Sequence, residues 1–480
     1  MKKNIIFKKA LHLLLAIPLF VATTGCENDL DNLPEDQLGT ALVTTSEAAI
    51  NALVVGMYRS AQEVAAFNGN RYVMDAVQSD EGVFVGSFTT IANLFEYIQN
   101  PTNGTLSAFW NEAYEMINLA NFILENVPAA AAELPDITDD ELTQILAQAR
   151  FIRGIAYFQI SQLYAQPFQV SGGSNLAVII VPGFFGEGGL TEDELINLSR
   201  STLNEVHQLV ADDLDFAIAN LTNTTDHTIA NVDAARGMRA RLHLYRGEWA
   251  QAAQLANQVI SDANVTFSPD YTFFGTTGGE SLYVLANDAQ NGAFGGTGLA
   301  NFANGSTTGA GRGDLFYSDE LLAAHEAGDT RLTDPNFSIL ATDVNGTEER
   351  FQAKVGGSGA IPVIVMRLTE MYFIRAEANL QDGTTIGDTP VNDINLIRNR
   401  AGVAPLAAVT IDDILDERFR EFAFEGHRRM DLLRNQRSLR QPGNPQFDDS
   451  GFGQPLTIYP INQRDIDLSP GLAGQQNPGY

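Results

Sequence analysis

Cysteine is almost absent: Cys26 is the only one in 480 residues, so no intramolecular disulfide can form. Lysine is nearly as scarce, since beyond Lys2, Lys3, Lys8 and Lys9 the chain holds only Lys354. With those first residues removed, 25 cationic side chains face 59 acidic ones, a net charge of −34. That balance lacks the basic surface that phosphate contacts need, which excludes nucleic acid as a partner and disfavours heavily sulfated or uronate-rich ligands. Histidine is thin too: His12 lies near the N-terminus, and His207, His243 and His427 have no second histidine at i+3 or i+4. No Gly-x-Ser-x-Gly, His-Glu-x-x-His or Asp-x-Asp-x-Asp-Gly pattern occurs, so no catalytic residue, metal site or cofactor is predicted. Beyond residue 25 there is no apolar run long enough to span a bilayer as a helix.

What is present begins with a leader. Four lysines precede the apolar stretch Ala10 to Ala22, and Thr23, Thr24 and Gly25 then lead into Cys26. Residues 1–25 read as a signal peptide. Small residues directly before a cysteine resemble a bacterial lipobox, with Thr23 where that box has Leu; Cys26 is then the acylated first residue of a tether over 26–44. The alternative is an ordinary secreted chain with a stray cysteine. The acidic "ENDLDN" stretch from Glu27 resembles the signal that sends some lipoproteins to the outer leaflet of the outer membrane, so a lipid-anchored protein facing the exterior is expected.

The 455 residues after the leader exceed the usual size of one core, so two domains or one large repeat-built unit are expected. Apolar residues recur at helical spacing over 45–263, most clearly at Leu142, Ile145, Ala149, Ile152, Ala156, Ile160 and Leu163. Ala240, Gly247, Trp249 and Ala252 stand near the small, turn, aromatic and small positions of a tetratricopeptide repeat, so this stretch reads as a helical repeat scaffold. Residues 264–365 change to Gly, Thr, Asn and Phe, a loop-rich insertion broken by the β-like runs "SLYVLA" and "IPVIVM". Helices return over 366–440, the last reading as one helix from Thr410 to Gln436, and a Pro/Gly-rich tail covers 441–480.

These C-terminal segments resemble the SusD/RagB family of outer-membrane nutrient-binding lipoproteins. The "IRxRAG" segment falls at Ile397, Arg398, Arg400, Ala401 and Gly402, and the "ERxxExxxEGxRxxDLxR" segment runs from Glu417 to Arg434. The closing Gln-Asn-Pro-Gly-Tyr is Gln476 to Tyr480, and "FWNEAYEMINLAN" and "ARFIRGIAYFQISQLYAQP" match two further helices of the family. The resemblance implies a mostly α fold of tetratricopeptide-like helix pairs carrying a loop-rich, partly β insertion. It also implies capture of oligo- or polysaccharide at the cell surface and delivery to a SusC-like TonB-dependent transporter, with peptide as the alternative cargo.

In such proteins the ligand face is built where the loop after the first helix, here Phe67 to Phe88, meets the insertion from Phe273 to Asp314. A sugar needs an exposed ring for its C–H face and polar partners for its hydroxyls. Tyr72 is the expected ring, with Asn70, Arg71 and Asp75 as its polar rim and Phe294 or Phe302 as a second wall. The alternative for Tyr72 is a ring that packs its loop onto the scaffold. Trp110 and Trp249 sit inside helical patterns and read as packing residues.

Glu417, Glu421, Glu425 and Arg428 fall on one helical stripe, with Arg418 and Asp431 close by. Paired acids raise a glycoside hydrolase reading, but that chemistry needs two carboxyl groups flanking a cleft, and these face one way. A structural ion-pair network is the better account. A protein-binding tetratricopeptide scaffold remains the other rival, although it has no need of a Gly/Asn/Phe-rich insertion.

Overall fold

The computed structural model describes residues 44–287, 298–306, 311–356 and 361–480. The leader, the tether up to residue 43 with Cys26, and Phe294 lie outside these residues. The fold is mostly α. After α1 (Glu47–Ala61) and α2 (Asn70–Gln78) come the long α3 (Gly104–Ala131) and α4 (Asp139–Tyr164), then α5 (Leu203–Asn220), α6 (Val232–Arg246) and α7 (Trp249–Asp262). The chain re-enters helix at α8 (Leu368–Asp382), α9 (Pro390–Arg400), α10 (Ile411–Glu421) and α11 (Arg428–Arg434).

Local chemistry sets the ends of these helices. Thr138 and Glu141 form a reciprocal capping box at the start of α4, as Thr202 and Glu205 do at α5, each satisfying amides that the first turn leaves free. Gly247 ends α6 at φ 73°, a left-handed turn that lets α7 fold straight back as a helical hairpin. Packing then proceeds between neighbours: α3 on α4, α4 on α5, α6 on α7, and α7 on α8. Small residues allow the close approach; Ala149, Ala156, Ala252, Ala253 and Ala256 are fully buried, and a Cβ on Gly154 would already touch Asp213 of α5.

The insertion contributes small antiparallel pairs rather than one sheet. The two β-like runs find each other: β4 (Ser281–Leu285) pairs with β8 (Val363–Arg367), which leads directly into α8. β6 (Ser338–Thr342) and β7 (Glu348–Gln352) form a hairpin, and β1 (Gly82–Phe84) pairs with β5 (Leu315–Tyr317). β2 (Leu176–Ile179) pairs with β3 (Arg200–Thr202) between α4 and α5.

Two segments differ from expectation. The stretch after α1 is not a loop: all nine residues of α2 are buried, because Val73, Met74, Ala76 and Val77 enter the core while Arg71, Asp75 and Gln78 find internal partners. The single helix expected from Thr410 to Gln436 is broken, with Phe424 at φ 61° and Gly426 at φ 74°. A Cβ on Gly426 would lie 3.0 Å from the Tyr72 ring, so glycine serves both the left-handed turn and the close approach.

The Pro/Gly-rich tail is held by its polar groups. Arg200 donates to Gln475 O at 2.7 Å and to Asn477 Oδ1 at 2.8 Å, and Asn477 donates to Tyr164 O at the end of α4 at 2.9 Å. Tyr459 is fully buried beside Tyr164, their ring centres 6.0 Å apart.

Candidate functional site

The structure places the expected rim inside the protein. Arg71 donates to Gln159 at 2.8 Å, to Gln162 and to Gly426 O, and pairs with Asp75 at 3.2 Å. Asp75 also receives the Arg429 amide. Tyr72 is 6% exposed, and burial pushes its hydroxyl up to about 12. A ring without an open face cannot stack on a pyranose, so Arg71, Tyr72 and Asp75 join α2 to α4 and to the break before α11, with Asn70 buried beside them, instead of forming a platform. Phe302 is likewise fully buried.

The two segments from which those residues were drawn do lie side by side. Asn68 and Asn287 exchange amide hydrogen bonds at 2.8 and 3.0 Å, and a Cβ on Gly69 would stand 2.9 Å from Gly298 Cα. The β1–β5 pairing continues through Val85 N–H, which donates to Asp314 O at 2.8 Å. Beyond it the chain turns outward through Gly86, where a Cβ would lie 2.5 Å from the Asp314 carboxyl carbon, to the half-buried Phe88.

Phe88 leans on Phe302 with ring centres 5.4 Å apart at 69°, and Phe84 supports Phe302 from another side at 6.0 Å. The Arg312 guanidinium lies 5.8 Å from the Phe88 centre and 5.6 Å from that of Phe302, and it donates to the buried Asp314 at 2.5 Å. Arg312 keeps 37% of its side chain exposed. The junction therefore presents a half-exposed ring beside a guanidinium that a buried carboxylate orients. Ring and donor together can hold the C–H face and the hydroxyls of a sugar. Sequence reading missed Phe88, Arg312 and Asp314; the signal that could have found them was an Arg-x-Asp pair after a glycine run, next to a Phe in the facing loop.

The acids of the C-terminal stripe are paired. Glu417 accepts from Arg331 at 2.7 Å, Arg398 at 3.0 Å and Arg420 at 2.6 Å. Glu421 meets Arg400 at 2.7 Å, Arg367 at 2.9 Å and Arg331 at 3.2 Å. Burial alone would raise its carboxyl, but the surrounding guanidiniums of Arg400, Arg367 and Arg331 outweigh burial and bring it down to about 2. The break at Gly426 turns Glu425 to Arg367 and Lys354, and Arg428 to Asp80 at 2.7 Å, so the four residues do not continue along one helix. Arg418 pairs with Asp431 at 2.7 Å. With every carboxylate of the stripe held by cations, none is left to act as a general acid. Among the described residues no group of three or more His, Cys, Asp or Glu side chains could hold a metal ion.

The protein is thus a helical scaffold that carries a loop-built aromatic and guanidinium face. A family model described as "Starch-binding associating with outer membrane" matches residues 29–244, and one described as "SusD family" matches residues 340–480. The chain belongs to the SusD/RagB family. A SusD-like protein of Bacteroides ovatus is 21% identical over 469 residues, spanning 88% of this chain and 81% of the relative. Among solved structures, a SusD superfamily protein of Bacteroides thetaiotaomicron superposes with a TM-score of 0.79 at 23% identity, covering 90% of this chain and 100% of that one. A laminarin-binding SusD-like protein superposes with a TM-score of 0.73 at 20% identity, covering 91% and 100%.

Proposed function

We propose that this protein captures a neutral glycan at the outer surface of the outer membrane, held there by lipid on Cys26, and passes it to a SusC-like TonB-dependent transporter. The observation that carries the glycan reading is the Phe88 and Arg312 pair at the junction of the 82–88 segment and the insertion. Neutral sugars fit because the buried charges nearly cancel, fourteen cations against fifteen acids, so the strongly acidic balance of the sequence remains on the surface. Membership of a family described as starch-binding and outer-membrane-associating supports the same reading. No described helix is long and apolar enough to cross a membrane, and in this reading the transporter supplies the pore.

The test is a binding screen of the chain lacking residues 1–26 against neutral, uronate and sulfated polysaccharides and against peptides. Phe88→Ala should weaken glycan affinity by about 1–3 kcal/mol, the scale of losing a well-placed contact residue, and Arg312→Ala should do the same while also lowering Tm, because it leaves the buried Asp314 carboxylate without its cation. Unchanged affinity in both variants would place binding elsewhere, and reducing ends released from a polysaccharide would favour the hydrolase. Co-purification in mild detergent tests the transporter. Repeated recovery without any barrel, with glycan uptake intact in a deletion strain, would remove that part of the proposal.

A further inference from the structure

A groove of about 300 Å³ opens along α3, away from the Phe88 and Arg312 face and sharing no residue with it. Trp110, Tyr114 and Ile117 recur at steps of three and four on one side of α3, and Ile179, Val181 and Leu472 complete an apolar floor. That volume stands at the lower end of the range for small-molecule sites, about 300–1,000 Å³, which suits one or two sugar rings and not a protein helix.

The wall of the groove is a ring held in the open. Phe185 is 40% exposed, yet its backbone is clamped: Asn118 Oδ1 accepts its N–H at 2.7 Å and Asn118 Nδ2 donates to its carbonyl at 3.1 Å. The neighbouring Phe184 anchors the segment, its N–H donating to Glu125 at 3.1 Å and its ring packed against Phe122 at 4.8 Å. On the far side the Tyr114 hydroxyl grips Ile179 twice, donating to its carbonyl and accepting its N–H, both at 2.9 Å. The backbone that carries the exposed ring is thus held before anything binds, which removes part of the entropic cost of binding.

The rim is polar and uncommitted. Asn111 and Glu115 are exposed, and among the described residues the side chains of Asn111, Glu115 and Ser469 make no hydrogen bond. Asp465 lines the groove with Trp110 and offers two acceptor oxygens; burial raises its carboxyl above its ordinary value. An amide, a hydroxyl and two carboxyl groups around an apolar floor are the partners that sugar hydroxyls and a C–H face require.

We infer that this groove is a second saccharide site, taking a neutral pyranose whose C–H face lies on Phe185 and whose hydroxyls meet Asn111, Glu115, Asp465 and Ser469. The inference rests on the reading of the chain as a glycan binder. The rim carboxylates reject uronates and sulfated sugars by like charge.

Isothermal titration of the chain lacking residues 1–26 with a panel of neutral oligosaccharides headed by maltoheptaose and laminariheptaose tests it. The wild type should show two sites for the oligosaccharide it binds, and Phe88→Ala should retain the groove site. Phe185→Ala should lose that site, and Asn111→Ala, at an exposed position that cannot threaten folding, should weaken it at least fivefold. A single site abolished by Phe88→Ala and untouched by Phe185→Ala and Asn111→Ala overturns this inference and leaves the first reading standing. No binding to any panel member overturns both. Binding of phenethylamine that Phe185→Ala abolishes, with no sugar competing, assigns the groove to a basic apolar group and overturns the saccharide assignment.

Discussion

Lys354 Nζ lies 2.7 Å from a Glu425 carboxylate oxygen and 3.8 Å from the centre of the Phe337 ring, in the interior of the protein. Its other two donors go to Glu421 O at 2.8 Å and Ala423 O at 3.1 Å, so all three N–H groups are used. Burial lowers the ammonium to about 8, against the pull of Glu425. The one lysine outside the leader thus closes the break between α10 and α11.

Lys354→Met should lower stability by roughly 3 kcal/mol, the lower end of the range for breaking a buried pair, because Arg367 still neutralises Glu425. Urea denaturation measures the loss. An amine reagent acting on the chain without its leader should modify Lys354 only at the rate of unfolding; rapid native labelling would contradict the burial.

Tyr72→Ala should cost about 3–5 kcal/mol, as for other fully buried aromatic rings, and Arg71→Ala should also destabilise by leaving Asp75 unpaired. In variants that still fold at low temperature, glycan affinity should match the wild type. A specific loss of affinity with unchanged Tm would return α2 to the binding face.

Stability should fall as pH drops from 7 to 4. Burial, aided by Arg246, pulls His207 down to about 3, and burial with Arg331 pulls His325 down to about 4. Unfolded histidines titrate near 6.5, so the unfolded state binds more protons below that pH and stability declines with each step down. His207 alone should account for on the order of 1–2 kcal/mol by pH 5. Glu421, brought down to about 2, extends the decline below pH 4.5. Glu81, raised by burial and Asp75, works in the opposite sense. Melting curves of wild type and His207→Phe between pH 7 and 5 should show a smaller drop in the variant.

Cys26→Ala should release the protein from membranes, and intact-mass spectrometry of the wild type should show an acylated chain beginning at residue 26. An unmodified chain beginning elsewhere would reject lipidation.

Much of this architecture follows from side-chain period alone. Leu142 to Leu163 mark α4 because apolar residues three and four apart share a face, and the β-like runs at 281–285 and 363–367 stand out as short apolar stretches within loop-rich sequence. Spacing also places Glu417 and Glu421 on one face of α10. What it leaves open is the partner: Arg331 comes from the insertion and Arg367 from the end of β8, and only the closed fold brings their guanidiniums to those acids. Local pattern misleads where polar residues are buried. "NRYVMD" reads as exposed because Asn, Arg and Asp usually are, but Gln159, Gln162 and Gly426, each distant in the chain, satisfy Arg71 and draw α2 inside. The exposure of Phe88 and Phe185 is decided in the same way. Both are apolar residues that period would send to the core, and tertiary contacts leave each at the surface, Phe88 beyond the β1–β5 pair and Phe185 in the clamp of Asn118.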